Sequence, residues 1–322
     1  MNPLIRVLAV VLLAATASAH ADQWPSKPIR YIAVFPPGGP TDILARLISP
    51  RLGQALGQPV VVENRPGLAG GIGSAVLAKS APDGYTIGGA TSSSHAINAA
   101  LYPNLNYDPV KDFAPITVLA TYPNVLVVNA KLHVDTVGDL IALLKANPDK
   151  YSFGSGGSGT GEHLAGELFK MAADVHIEHI PYKGSGVLMP DLISGVVPMS
   201  FLNILAVAPQ VRSGRLHALA VMSEARSPAL PDVPSITEAG LPPECALQGW
   251  QALFAPAGTP KEIVGRLYSE VARILKEPEV AQRIRDLGAE PGGMAPQALG
   301  ELIRNDIQRY AKIVHASGAH AD

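Results

Sequence analysis

Short apolar runs alternate with amphipathic segments along almost the whole sequence, and this alternation constrains the fold more than any other feature. Residues 29–35 (IRYIAVF) are typical of a buried strand, whereas residues 41–57 (TDILARLISPRLGQALG) have the spacing of an amphipathic helix. A second strand at 59–64, a helix at 70–80 and a third strand at 85–93 continue the pattern. Strands separated by helices form mostly parallel sheets covered by helices, so the sequence predicts an α/β protein.

A second α/β set follows the first. Its strands are predicted at 151–155, 175–182, 197–203 and 216–223, and its helices at 161–172 and 186–194. A long extended segment at 113–129 precedes this set, and a proline-rich segment at 228–240 follows it. We therefore expect two lobes, formed by 22–120 plus 225–322 and by 121–224, with a ligand cleft that closes by hinge bending.

The last third of the sequence returns to helix. Thr259 followed by Glu262 predicts a capping box, and Pro260 occupies the first expected helical position.

The first 21 residues have the pattern of a secretory signal peptide. Positions 1–6 carry one positive charge, positions 7–15 form a continuous apolar run, and small residues follow at 17, 19 and 21. The apolar run is shorter than the roughly 20 residues that a membrane-spanning helix needs. We expect cleavage near Ala21 and export of the remaining chain.

Composition excludes several classes of function. The net charge is −2 without a basic block, and aromatic residues make up 5% of the chain, which argues against a nucleic-acid surface. Cys245 is the single cysteine, so no intrachain disulfide can form, and its neighbours offer no partners for a catalytic thiol.

Four predicted strand-to-helix loops are rich in glycine and hydroxyl residues, two in each expected lobe: the first at 36–42, the second at 91–94, the third at 154–161 and the fourth at 182–186. Glycine lets a ligand approach the backbone, and a helix N-terminus presents unsatisfied N–H groups, so such loops bind anions without a cationic side chain. A carboxylate fits such a site. The candidate ligand-binding residues are Phe35, Pro37, Gly38, Gly39, Thr41, Asp42, Ser92, Ser93, Ser94, Ser155, Gly156, Ser158, Thr160, Tyr182, Lys183, Gly184 and Asn203.

Three charged residues in these loops have competing interpretations. Asp42 is either a plain helix-start acid or a group that holds the loop against a ligand, and Glu162 is more typical of a helix start. Lys183 either meets a ligand carboxylate or lies in solvent.

Catalytic and cofactor motifs find little support. Gly154, Gly156 and Gly159 match the spacing of a dinucleotide fingerprint, but Glu178 falls within a predicted strand rather than at its end. A secreted serine hydrolase, the rival interpretation, would pair a loop serine with His95 or His163. The sequence contains no recognisable nucleophile motif to support it. The sequence predicts no cofactor, no metal site and no enzymatic activity.

An ordered series of motifs gives a more specific indication. It runs from WPSKPIRYIAVFPPGGPTDILAR through VVENRPGLAGGIGSAVLAKSAPDGYT, HAINAALYPNLNYDPVKDFAPIT and FGSGGSGTGEHLAGELF. It continues with IPYKGSGVLMPDLISGVVPMSF, LAVMSEARSPALPDVPSITEAG and GWQALFAPAGTPKEIV. Through these motifs the mature chain resembles the Bug-type periplasmic solute-binding proteins, the receptors of tripartite tricarboxylate transporters.

The resemblance implies a type II periplasmic-binding-protein fold, with a mono- or dicarboxylate, aliphatic or aromatic, held between loop 36–42 and the loop at 182–184. It implies a periplasmic protein that serves membrane transporter subunits, and we expect a monomer. A ligand sensor with a signalling partner is the alternative. The family's third loop usually carries small polar residues where this chain has Glu162, and a carboxylate facing the cleft would repel a second acidic group.

Overall fold

The computed structural model describes residues 24–320, so the predicted signal peptide lies outside the described residues. The strands are β1 (Ile29–Ala33), β2 (Val60–Asn64), β3 (Thr86–Thr91), β4 (Phe113–Asn129), β5 (Ser152–Ser155), β6 (Glu178–Pro181), β7 (Met199–Asn203), β8 (Leu216–Val221), β9 (Gln248–Pro256) and β10 (Glu290–Pro291). The helices are α1 (Pro40–Leu56), α2 (Gly71–Ala78), α3 (Asn98–Leu101), α4 (Val137–Ala146), α5 (Gly161–Ala173), α6 (Ser185–Ser194), α7 (Ile204–Arg212), α8 (Lys261–Leu275), α9 (Pro278–Asp286) and α10 (Pro296–Ser317).

The strands form one hydrogen-bonded path in the order β2-β1-β3-β9-β4-β7-β5-β6, and β8 and β10 also pair with β4. β1 lies parallel to β2 and β3, and β5 lies parallel to β6 and β7. The parallel pairing within each set confirms the α/β prediction. β4 and β9 are antiparallel to their neighbours and join the two sets.

The 17-residue strand β4 is shared between two halves of the sheet. Residues 113–123 pair with β9, whereas residues 124–129 pair with β7 and β8. We call β1, β2, β3, β9, β10 and 113–123 the first half-sheet, and β5 to β8 with 124–129 the second half-sheet. The change of partner falls between Pro123 and Asn124.

Helix α1 shows how the apolar spacing builds the core. Leu44, Ile48 and Leu52 recur on one face and are all buried against the first half-sheet. Burial of each such side chain contributes about 1.5–3 kcal/mol. The helix ends at Gly57, whose φ of +76° lets its N–H reach the carbonyl of Gly53. The helix matches the prediction to within one residue at each end.

The segment after β8 packs on the second half-sheet. Ile236, Leu241 and Cys245 share a buried cluster with Leu164 and Phe169 of α5. The Cys245 thiol donates to a helix carbonyl of α5 at 3.8 Å, and burial raises its pKa to about 11. This thiol behaves as a buried core group, because a reactive cysteine has a lowered pKa.

Two local predictions were wrong. The Thr259 hydroxyl donates to the carbonyl of Pro256 at 2.7 Å, and α8 begins without a side-chain cap, so no capping box forms there. The strand predicted at 175–182 is shorter, because its partner β5 offers only four pairing positions, opposite 178–181. A capping box does form at Thr136 and Asp139, at the start of α4.

Among residues 24–320, no helix has the length and apolar character needed to cross a bilayer.

Candidate functional site

A cavity of about 50 Å³ lies where β4 passes from the first half-sheet to the second. Tyr122 and Asn124, on either side of this transition, form part of its wall. The first half-sheet and its loops contribute Phe35, Pro40, Thr41, Thr91, Ser92, Ser93, Gln248, Gly249 and Gln251. The second contributes Thr160, Gly161, Glu162, Ser185 and Asn203, and Leu247 and Tyr310 complete the lining. The cavity is therefore enclosed by side chains from both half-sheets.

Loop 36–42 is ordered by its own acid. The Asp42 carboxylate accepts hydrogen bonds from the Gly38 N–H at 3.0 Å, Arg46 Nε at 2.9 Å and Asn64 Nδ2 at 3.0 Å. Burial opposes ionisation of Asp42, but these hydrogen bonds outweigh it and lower the pKa of the carboxyl below its usual value. The side chain therefore holds loop 36–42 in its conformation while lying in the first turn of α1.

The same loop leaves hydrogen-bonding capacity open in the cavity. Thr41 and Gln251 both line it and are 3% and 2% exposed, respectively. Across the described part of the chain, Thr41 Oγ1 has no hydrogen-bond partner, and Gln251 Nε2 has none at good geometry. Burial raises the pKa of the Tyr122 phenol, and the Gln251 side chain lies close enough to oppose that rise. The first-turn amides of α1 also lack a helical acceptor, as at every helix start. Buried polar groups are normally paired, so this wall is suited to a polar ligand atom.

Of the three serines in the second loop, two lie in the cavity wall and one lies in the core. Ser92 and Ser93 line the cavity, and Ser93 Oγ accepts from the Gly161 N–H at 3.3 Å across the two half-sheets. Ser94 is fully buried and bonds Thr91 and the Nδ1 of His95. Burial lowers the pKa of His95 to about 3, so the imidazole is neutral at physiological pH.

The third loop places Glu162 in the cavity wall, in the first turn of α5. Its Oε2 accepts from the Gly156 N–H at 2.5 Å, and its Oε1 accepts from Ser185 Oγ at 2.6 Å. Burial raises the pKa of Glu162, while the hydrogen bonds from Ser185, Gly156 and the Asn203 N–H act in the opposite direction. The residue thus lies in the cleft wall, where a carboxylate would repel a second acidic group of a ligand.

The first and fourth loops contact each other. A Cβ placed on Gly184 would lie 2.6 Å from Pro36 Cδ, and one on Gly186 would lie 3.1 Å from the Pro37 carbonyl oxygen. The positive φ of Gly184, +131°, adds a second reason for glycine at this position. Segments 36–42 and 182–186 therefore meet across the two half-sheets.

A second cavity, of about 210 Å³, lies beside this contact. Gly156, Ser158, Tyr182 and Lys183 line it, and Phe35 lines both this cavity and the first one. The Tyr182 hydroxyl donates to the Asp191 carboxylate at 2.6 Å.

The predicted site residues therefore fall into four groups. Phe35, Thr41, Ser92, Ser93, Thr160 and Asn203 line the inner cavity, and Gly156, Ser158, Tyr182 and Lys183 line the outer one. Pro37, Gly38, Gly39 and Gly184 form or flank the contact between the loops, whereas Asp42, Ser94 and Ser155 bond within or beneath them.

Sequence reasoning missed several lining residues. Tyr122 and Asn124 lie on the segment predicted to cross between the lobes, and a crossing strand necessarily passes the cleft. Gln251 is a polar residue within the apolar run of β9, which is a signal that the sequence offers, whereas no local pattern distinguishes Tyr310 of α10 from ordinary core.

Serine and histidine do approach each other near the third loop. Ser155 Oγ lies 2.7 Å from His179 Nε2, and the rings of His163 and His179 stack at 4.0 Å. Ser155 is fully buried, and it also accepts from the Gly157 N–H at 3.1 Å. Glu178 is the exposed first residue of β6, so it does not take the strand-end position of a ribose-binding acid.

Comparisons with known proteins decide the family. The model of the tripartite tricarboxylate transporter family receptor (TctC) matches residues 44–319. BugT of Bordetella pertussis is 39% identical over 322 residues, covering 99% of this chain and 98% of its own. The chain belongs to the tripartite tricarboxylate transporter receptor family.

Solved structures agree with this assignment. Rpa4515 of R. palustris, solved with adipate, is 38% identical with a TM-score of 0.90, covering 93% of this chain and 100% of its own. MatC of Rhodopseudomonas palustris, solved with bound malate, is 32% identical with a TM-score of 0.86, covering 90% and 100%. The Bug-type resemblance and the type II fold, with two lobes around a hinged cleft, are confirmed. The protein is a periplasmic solute-binding receptor.

Proposed function

We propose that this receptor captures a small organic carboxylate between its lobes and delivers it to the membrane subunits of a tripartite tricarboxylate-type transporter. One observation carries the proposal: the buried Thr41 Oγ1 and Gln251 Nε2 line the inner cavity, without a partner among the described residues, beside the N-terminus of α1. These donors and the helix dipole suit a carboxylate. The adipate and malate bound by two relatives support the same ligand class.

The lobe boundaries belong to the same proposal. We place the first lobe on the first half-sheet and the second lobe on the second, with the crossing of β4 at Pro123 and Asn124. The packing of Ile236 and Cys245 against α5 supports extending the second lobe from the sequence-based boundary at 224 to about residue 247. Loops 36–42 and 182–186 then close the cleft from opposite sides.

We assign different roles to the candidate residues. Thr41, Ser92, Ser93, Thr160 and Asn203 contact the ligand, and Phe35 lines both the inner and the outer cavity. The glycines and prolines of the first and fourth loops form the closing contact, and Asp42, Ser94 and Ser155 hold loop geometry.

We propose that the receptor has no catalytic activity and acts as a monomer. The two serine–histidine pairs, Ser94 with His95 and Ser155 with His179, use serines that are 0% exposed and therefore cannot reach a bound ester or amide. Purified protein should show no turnover of p-nitrophenyl acetate above buffer. Hydrolysis that is lost in Ser155→Ala would contradict this assignment.

The function is tested by the hydroxyl that carries it. Thr41→Val keeps the side-chain shape but removes the donor, and we expect carboxylate affinity to fall about tenfold by titration calorimetry. Ser49→Ala is the matched control, because Ser49 Oγ is also buried and unpartnered on α1, within the described residues, but lies outside the inner cavity. Equal affinities of the two variants, or a wild-type protein that binds only neutral sugars, would contradict the proposal.

A further inference from the structure

Glu162 is the one charged side chain among the described residues that line the inner cavity. It is 5% exposed and lies in the first turn of α5, directly after Gly161. The wall around it is otherwise formed by hydroxyl, amide, aromatic and aliphatic groups. The cavity therefore carries a buried acid and no lining cation to balance it.

The Glu162 carboxyl occupies the hydrogen-bond donors at the ends of two strands. Gly156 N–H follows β5 and bonds Oε2 at 2.5 Å, while Ser185 Oγ begins α6 and bonds Oε1 at 2.6 Å. The nearby Asn203 N–H, at the end of β7, also favours the ionised form of this carboxyl. Backbone amides at helix starts and strand ends are the usual binding groups for a ligand carboxylate. In this lobe one such amide, that of Gly156, and the neighbouring Ser185 hydroxyl are already filled by a carboxyl of the protein itself.

The opposite wall differs. Thr41 Oγ1 and Gln251 Nε2 are buried and lack hydrogen-bond partners in the part of the chain that the structure describes. A ligand carboxylate placed there would meet open donors and the positive end of the α1 dipole. A second carboxylate directed at Glu162 would meet occupied donors and another acid, an arrangement that disfavours binding.

On the basis of the function proposed above, we infer that Glu162 makes this receptor selective for monocarboxylates: the ligand carboxylate faces α1, and its other end, facing α5, carries no carboxylate. The side chain acts as an internal substitute for the second carboxylate of a dicarboxylic ligand. Its removal returns Gly156 N–H and Ser185 Oγ to the cleft.

The test uses ligands that differ only at the distal end. Hexanoate, adipate and adipate monoamide share the same chain length, as do butyrate, succinate and succinate monoamide. Each series contains two monocarboxylates, the fatty acid and the monoamide. By titration calorimetry at neutral pH, wild-type protein should bind the tighter-binding of these two about tenfold more tightly than the dicarboxylate in at least one series. Glu162→Ser should raise the dicarboxylate-to-monocarboxylate affinity ratio by about tenfold or more.

Glu178→Ser is the control, because Glu178 is exposed on β6 and should leave the ratio unchanged. A wild-type preference for the dicarboxylate over its monoamide would overturn the inference without any variant, as would a ratio in Glu162→Ser that stays within about threefold of wild type. If the variant does not fold, the wild-type comparison alone decides. Failure of every carboxylate in both series to bind wild type would instead overturn the proposed function.

Discussion

The two loops that face each other across the inner cavity each lead into a helix with an acid in its first turn, but the two acids have different hydrogen-bond partners. In loop 36–42 the acid, Asp42, points away from the cavity and bonds Gly38, Arg46 and Asn64, which do not line it. At the start of α5 the acid, Glu162, lines the cavity and accepts hydrogen bonds from the Gly156 N–H and Ser185 Oγ. Both acids lie in the first turn of a helix, so a favourable helix dipole is common to both. The comparison shows that the partner of the acid determines whether a helix start is open to a ligand.

The largest effect should come from the contact that brings the loops together. Gly184→Ala places a Cβ 2.6 Å from Pro36 Cδ, so the closed arrangement is disfavoured and carboxylate affinity should fall about hundredfold. Gly293→Ala is the control, because its φ of +112° imposes similar strain with nothing within 4 Å of the new Cβ. Calorimetry that finds the same loss in both variants would assign the effect to backbone strain instead.

Removal of the acid behind loop 36–42 should cost stability. Asp42→Ala leaves the Gly38 N–H without its acceptor and leaves Asn64 Nδ2 with the Phe35 carbonyl alone, so we expect the free energy of unfolding to fall by about 1–3 kcal/mol. Asp232→Ala, at an exposed position, should change it by less than about 0.5 kcal/mol. Urea unfolding measures both, and equal stabilities would remove Asp42 from the loop scaffold.

The two acids should also respond to pH in opposite directions. The lowered pKa of Asp42 gives a contribution that is present above its unfolded-state pKa and lost as pH falls through the folded value. The raised pKa of Glu162 means that the folded state binds the proton more tightly, so stability declines as pH rises from the unfolded-state value through the folded one.

Thermal unfolding across pH checks this difference. In Glu162→Ser, stability should no longer decline as pH rises through the pKa of Glu162. In Asp42→Ala, stability should fall less than in wild type as pH is lowered. Tyr122 faces Glu162 from β4, but burial raises the pKa of Tyr122 above the usual range, so this residue stays neutral. His163 and Glu167 lie on the same helix as Glu162 and are present in both wild type and Glu162→Ser, so they do not account for a difference between the two profiles. A Glu162→Ser profile parallel to that of wild type would contradict the assignment.

The smallest effect is expected at Tyr182. Its hydroxyl donates to Asp191 at 2.6 Å, so Tyr182→Phe should lower the free energy of unfolding by about 1 kcal/mol and change carboxylate affinity by less than about threefold. A large loss of affinity with unchanged stability would show that this hydroxyl contacts the ligand rather than the scaffold.

Local pattern predicted most of the elements. Helix α1 and the long strand β4 agree with their predicted ranges almost to the residue, because apolar spacing and extended β-branched runs are local properties. The strand predicted at 175–182 was too long, because the length of a strand depends on its partner, here the four-residue β5. The predicted cap at Thr259 failed for a local reason instead, since its hydroxyl donates to the carbonyl of Pro256, three residues earlier.

The site divides along the same line. By itself, the sequence determined the alternating elements, the glycine-rich helix starts and the family, because these depend on residue order and short-range spacing. The tertiary structure decided which helix starts remain open: Gln251 joins Thr41 from β9, and Ser185 reaches Glu162 from α6. Whether a hydrogen-bond donor is filled depends on atoms that lie far away in the chain, and only folding brings those atoms within bonding distance.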